Sequence, residues 1–247
     1  MISLALGLPA TGKSQWCQDY VLAHARSHRF LVVDRADEWR ADTHRWRGQK
    51  WRGWDSRFAK LARSVGHSFI VDGAPWFLDV PGGRAPQLDE LPGSGVIRFG
   101  YPWEGEAVAE LARELGNCCY VDDELDLVAL QSGWPKNPLR DFAHRGRHLP
   151  NAAGVVGQVH VLGAARRAQS LHIDVTTLAD QVAVFRLRGG RTLERLVEDG
   201  ILTDELVRVP WSKEELPETE AIVRAPDYHF KLWLTGGGDS YSHTKPY

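Results

Sequence analysis

Short apolar runs separated by segments of helical period recur along the chain, the order expected of an α/β fold with a mostly parallel central sheet and helices on both faces. Residues 2–6 read as a buried strand leading into a glycine-bearing loop. A helix is predicted from Lys13 to about Ser27, with Trp16, Tyr20 and Ala23 along one face. Residues 30–33 predict a second buried strand ending at Asp34, and from Glu38 to Arg57 the periodicity fades while Trp and Arg dominate. Strands are predicted at 68–71 and 96–99, separated by a loop over 79–95 that Pro81, Gly82, Gly83, Pro86, Pro92, Gly93 and Gly95 punctuate. A helix over 104–115, with Val108, Leu111 and Leu115 on its apolar stripe, closes at Gly116. The strand at 118–121 runs into Asp122-Asp123-Glu124; a helix over 139–147 follows Pro138, and the last strong strands lie at 155–162 and 182–187.

The 247 residues, 43% hydrophobic and 25% charged, suit one sizeable domain over 1–235, loop-rich between 40 and 100. Residues 236–247 are rich in Gly and Ser and are expected to form a mobile tail. A net charge of −2 argues against a surface that coats nucleic acid, while leaving room for a local basic path. Cys17, Cys118 and Cys119 lack metal-ligand spacing and read as buried free thiols. The apolar N-terminus lacks the basic leading region of a signal peptide and breaks into Thr11-Gly12-Lys13-Ser14. No segment approaches the ~20 apolar residues of a membrane span, so the protein is expected to be soluble.

The strongest chemical signal is Gly7-Leu8-Pro9-Ala10-Thr11-Gly12-Lys13-Ser14, after a strand and before a helix, with Gln15 next in the helix. Glycines let such a loop form a nest of N–H groups around phosphates, and the helix N-terminus adds partial positive charge. Bound ATP with Mg2+ is expected here, Lys13 reaching the β- and γ-phosphates and Ser14 ligating the metal. A carboxylate ending a neighbouring strand completes such a site. Asp122 is the candidate magnesium-linked acid, and Asp123 or Glu124 the acid that positions and deprotonates water.

Arg145 and Arg147 are candidates for an arginine donated to a neighbouring subunit, and Arg166, just past a strand, for a γ-phosphate sensor. Each equally suits an ordinary surface ion pair. His144 and His148 have a helical ligand spacing without an acidic partner or third ligand. The segment His44–Trp54 interleaves Arg and Lys with Trp46, Trp51 and Trp54, which suits either base stacking on DNA or aromatic packing beneath a loop.

Taken in order, these pieces resemble the FtsK–HerA superfamily of P-loop translocases, over Ile2 to about Leu187. Asp34 followed by Glu38-Trp39 looks like that family's strand ending in aspartate before a Glu-aromatic pair, and 121–127 is similar to its Walker B strand. The run from His144 to Leu187 looks like its basic stretch, sensor strand and final strand. Two positions depart from the pattern. Asp123 falls where the family has glutamate if Asp122 is the metal residue, and Ala165-Arg166-Arg167-Ala168 replaces a Thr-Gln-Arg-Pro sensor.

With its P-loop near residue 1, the chain resembles the genome-packaging ATPases of tailless, internal-membrane viruses and phages, and also the zonula occludens toxin-like proteins of filamentous phages. The resemblance implies a RecA-like ATPase of virion or host cytoplasm, a homo-oligomeric ring of five or six subunits, double-stranded DNA as substrate, and a capsid vertex or portal partner. A small-molecule kinase and a nucleotide-dependent scaffold are the competing readings of the same P-loop.

Overall fold

In the computed structural model the apolar run Ile2–Leu6 forms β1, buried along its whole length. The structure describes residues 1–42, 46, 49–53, 74–80, 82, 86–130, 133–185, 190–201, 220–224 and 230–234. In chain order there follow α1 (Lys13–His24), β2 (Arg29–Asp34), β3 (Arg52–Gly53), β4 (Trp76–Val80), β5 (Gly95–Gly100), α2 (Gly105–Leu115) and β6 (Cys118–Asp122). Then come α3 (Pro138–Arg145), β7 (Leu149–Pro150), β8 (Val156–Gly157), β9 (Val159–Ala165), α4 (Ile173–Thr177), β10 (Gln181–Val184), α5 (Gly190–Glu198), β11 (Glu220–Arg224) and β12 (Phe230–Leu234). The expected α/β architecture with a mostly parallel sheet is present.

Internal contacts group the chain into two units. The first comprises 1–17, 123–146 and 161–247, and its strands lie in the order β12-β11-β10-β1-β9. β1 runs parallel to both β10 and β9, while β11 and β12 continue antiparallel beyond β10. Its centre is dry: Leu4, Leu6, Leu162 and Ala183 are fully buried. The cost of ordering these strands is offset mainly by that burial, at roughly 1.5–3 kcal/mol per large apolar side chain. α3 begins where the Asn137 side chain accepts the Leu139 N–H at 2.9 Å, with Pro138 at the first helical position.

Gly163 in β9 explains how the chain after β6 is seated. A Cβ at this position would collide with the Leu125 side chain, so only glycine admits that close approach. Leu125 is fully buried as a result, and the turn carrying Asp123, Glu124 and Asp126 is held at the end of β9.

The second unit comprises 18–122 and 147–160, with the all-parallel strand order β6-β2-β5-β4-β3. The non-sequential order places the carboxyl ends of β6 and β2 side by side, Val33 pairing with Asp122. β7 and β8 form a separate antiparallel pair.

Several expectations shift. The strand predicted over 155–162 is two pieces, β8 and β9, because Gln158 between them gives its carbonyl to the Cys118 N–H at 3.1 Å. β4 occupies 76–80, where 79–95 was expected to be loop throughout; Phe77 and Val80 face the core, and a 3-10 turn spans Leu88–Glu90. On α1 the buried apolar positions are Trp16, Cys17 and Val21, while Ala23 is exposed. On α2 they are Val108, Ala109 and Ala112, with Leu111 and Leu115 half-buried. In both helices small residues enable close packing that a count of large apolar residues misses. The predicted strand at 68–71, residues 186–187 and the 236–247 tail lie outside the described residues.

Candidate functional site

The loop between β1 and α1 is pinned at both ends. The Gly7 N–H donates to the Ala165 carbonyl at the end of β9 (3.1 Å), and the Trp16 N–H closes the first helical turn on the Gly12 carbonyl (2.9 Å). Between these points Ala10 (φ 60°) and Gly12 (φ 97°) adopt left-handed backbone. That alternation is what a concave run of N–H groups requires, and it is costly for a non-glycine residue such as Ala10. The Thr11 hydroxyl and the Lys13 ammonium both donate to the Leu8 carbonyl, at 2.8 and 2.7 Å, which tightens the loop on itself.

Lys13 is only 8% exposed. Burial lowers its pKa from the ordinary lysine value, opposed by the negative potential of Asp123, Cys17 and Asp126, while Arg166 adds to the lowering. Asp123 is therefore the carboxylate that acts most strongly on the lysine. Glu124, next in the chain, accepts a hydrogen bond from Arg166 Nη2 at 2.7 Å. Burial raises the pKa of Asp126, against hydrogen bonding from its own backbone and the charge and backbone N–H of Arg166. Lys13, Ser14, Asp123, Glu124 and Arg166 all belong to the first unit.

Such a constellation can hold a polyphosphate. Gly7 to Gly12 supplies backbone donors, α1 its N-terminal field, and Lys13 a desolvated positive charge. The hydroxyl of Ser14 and the carboxylate of Asp123 are hard oxygen donors of the kind magnesium takes, so the donor set fits that ion. Gln15 is exposed on the first turn of α1.

Asp122, the expected metal ligand, ends β6 in the second unit. It is fully buried, and Arg35 grips it with Nη1 on Oδ1 at 2.5 Å and Nη2 on Oδ2 at 3.0 Å. The Tyr120 hydroxyl donates to Oδ2 at 2.7 Å. Sequence reasoning passed over both Arg35 and Tyr120. Tyr120 carried a signal, lying two residues before Asp122 on a strand and hence on the same face.

A second ion cluster lies in the same unit. Arg98 on β5 donates through Nε to Asp34 (2.6 Å), through Nη1 to Asp79 (2.8 Å), and through Nη2 to Asp37. Burial works against its charge, but hydrogen bonds to Asp79 and Asp34 outweigh it and raise the Arg98 pKa. The other face of Asp34 accepts the N–H groups of Glu38 (2.9 Å) and Trp39 (3.0 Å), turning the chain after β2. Asp34, Asp37, Asp79 and Arg98, with Arg35 and Tyr101, line a cleft of about 540 Å³.

Arg145 is exposed on the last turn of α3, and Arg147 is exposed two residues on. In the first unit, Asp174 anchors α3 to α4 by accepting from His144 Nε2 (2.9 Å) and Trp134 Nε1 (2.8 Å). Trp134 stacks on His172 at 4.4 Å. The tryptophan-rich segment is decided in part. Trp46 is buried, donates to the Gln18 carbonyl at 3.3 Å, and meets Trp39, Trp51 and Phe77 in edge or tilted contacts at 5.0–6.2 Å. It packs the interior. His44, Arg45, Arg47 and Trp54 lie outside the described residues.

No known protein-family profile and no curated protein matches the chain. Solved structures do. The genome packaging NTPase B204 of Sulfolobus turreted icosahedral virus 2, in complex with AMPPCP, superposes with a TM-score of 0.58 at 14% identity, over 94% of this chain and 95% of that one. B204 from Sulfolobus turreted icosahedral virus, described as its DNA-packaging ATPase, gives 0.57 at 15% identity over the same shares. The ATP-gammaS complex of the first protein gives 0.58 at 13% identity, over 94% and 95%. At such identities the likeness establishes a shared fold. Among the described residues, no helix is long and apolar enough to cross a membrane.

Proposed function

We propose that this chain is a magnesium-dependent ATPase of the genome-packaging kind, which couples hydrolysis to the movement of double-stranded DNA into a capsid. The observation that carries the reading is the convergence, within one unit, of the nest-forming loop, buried Lys13, the Asp123–Glu124 pair and Arg166. The solved packaging NTPases that share the fold support the choice of substrate and setting, virion or host cytoplasm. The resemblance to the FtsK–HerA superfamily points the same way.

In this reading Gly7 to Ser14 wraps the triphosphate, and Lys13 exchanges its bond to the Leu8 carbonyl for phosphate oxygens. Ser14 and Asp123 would hold magnesium, which neutralises phosphate charge when bound. Glu124 accepts the proton of the attacking water, and Arg166 orients that carboxylate and balances charge near it. Arg145 or Arg147 serves a neighbouring subunit of a ring, making turnover depend on assembly. An arginine of that kind contributes about 10³–10⁵ in rate.

The test is ATP turnover by the purified chain with and without duplex DNA. Stimulation by DNA supports a motor. Turnover that appears only with a small hydroxyl-bearing acceptor identifies a kinase and refutes it, and nucleotide binding without turnover under either condition leaves a scaffold. Rates that are independent of protein concentration across the assembly range eliminate the arginine donated in trans.

A further inference from the structure

Within the first unit, the turn that follows Asp123 and Glu124 is gripped at its far end by one side chain. Its main chain folds back on itself: the Leu127 N–H donates to the Glu124 carbonyl at 2.9 Å, and the Val128 N–H to the Leu125 carbonyl at 3.1 Å. The Val128 carbonyl then accepts from Asn137 Nδ2 at 2.7 Å. Ala129, next in the chain, gives its carbonyl to the His172 N–H at 2.8 Å.

Asn137 uses both ends of its amide. Oδ1 accepts the Leu139 N–H at 2.9 Å and caps α3, while Nδ2 holds Val128. The two bonds fix the orientation of the amide, because turning it over would set its nitrogen against an N–H and its oxygen against a carbonyl. A cap alone needs only an acceptor, which Asp or Ser supplies as well as Asn. Ionised Asp has no donor, and Ser offers a single oxygen on a shorter stem. Of these capping residues, the amide alone has separate donor and acceptor ends to span the helix start and the turn. Asn137 is buried, so water is a poor replacement for either bond. Capping alone therefore does not account for its second bond. Position does.

We infer that Asn137 is a positioning residue of the nucleotide site. It acts through the main chain of Val128 and fixes the far end of the turn, while Leu125 against Gly163 fixes its middle. A short turn pinned at both points leaves Asp123 and Glu124, at its start, in one geometry. The inference rests on the ATPase reading. Catalytic carboxylates must be held to within about 0.5 Å, and outer hydrogen bonds that hold them are commonly worth about 10–100-fold in affinity or activity.

Three variants separate the two bonds. Asn137→Asp and Asn137→Ser keep a capping oxygen and lose the amide donor, whereas Asn137→Ala loses both. Each is measured for steady-state turnover, melting temperature and equilibrium binding of a fluorescent ATP analogue with and without magnesium. Asn137→Asp is expected to lower kcat by about 10-fold, leaving KM and metal-free nucleotide affinity within about twofold. The enhancement of nucleotide binding by magnesium should weaken in parallel, a change that loss of a helix cap would not produce. Asn137→Ala should melt below Asn137→Ser, because it lacks the cap, yet turn over no faster. Unchanged kcat and unchanged magnesium enhancement in Asn137→Asp, whatever its melting temperature, reduce the residue to a cap and overturn the inference. Should that variant fail to fold, Asn137→Ser is read by the same criterion. Absence of turnover in the wild-type chain overturns the ATPase reading itself, and this inference with it.

Discussion

Arg166, the first residue after β9, donates to the carboxylate of Glu124 at 2.7 Å across 42 positions of sequence. The pair sits where the Gly7 N–H is tied to Ala165, so one strand end anchors the phosphate loop and orients the acid. Such an acid is useful only while ionised and aimed. Replacing Glu124 with Gln is therefore expected to reduce ATP turnover by about 100-fold or more while nucleotide binding persists, read by single-turnover kinetics beside equilibrium binding. Equal rates in mutant and wild type would place the general base elsewhere.

Lys13→Ala removes the desolvated charge at the loop. Turnover should fall by about 10²–10³, and nucleotide affinity should fall with it, as measured by titration with a fluorescent analogue. Hydrolysis that survives this change would remove the P-loop from the mechanism.

The lowered pKa of Lys13 has a direction that pH can test. Burial makes this lysine lose its proton below the ordinary value of 10.5, so the alkaline limb of kcat/KM should lie below that pH. Stability moves oppositely. Between the folded and unfolded pKa values the unfolded chain binds more protons at Lys13, so its contribution to stability rises with pH across that window. A pH–rate profile of the wild type against Lys13→Arg, whose guanidinium does not titrate there, isolates the limb.

Gly163→Ala forces a methyl group into Leu125. Overpacking of this kind costs about 1–3 kcal/mol, seen as a lower urea midpoint at unchanged slope. Turnover should fall too, because the turn that Leu125 anchors carries Asp123 and Glu124. An alanine variant as stable and as active as the wild type would show that the turn has room to move.

Arg98→Met leaves Asp34 buried at 2% exposure without its guanidinium. Breaking a buried pair on one side costs about 3–5 kcal/mol, whereas pairing that change with Asp34→Asn should recover much of the loss. Thermal denaturation of the two variants gives the comparison.

The residues that carry chemistry differed greatly in how far they could be read from the chain. Gly7 to Ser14 was legible because its eight members are contiguous and the motif specifies its own context, a strand before and a helix after. Pro138 marked the start of the following helix for the same local reason. Strand β4 escaped because Trp76–Val80 lies among prolines and glycines that signal turns. The face of α1 was misjudged because burial there follows Cys17 and Val21 rather than the aromatic spacing.

Local order and the identity of the phosphate loop were thus determined by neighbours in sequence, through backbone conformational preference and the period of apolar positions. Which of three consecutive acids faces Lys13 was not. That choice required tertiary packing, such as the close approach of Leu125 to Gly163 that seats the turn carrying Asp123 and Glu124. A carboxylate's role is set by the charges and donors around it, and those arrive from distant parts of the chain only when the strands pair.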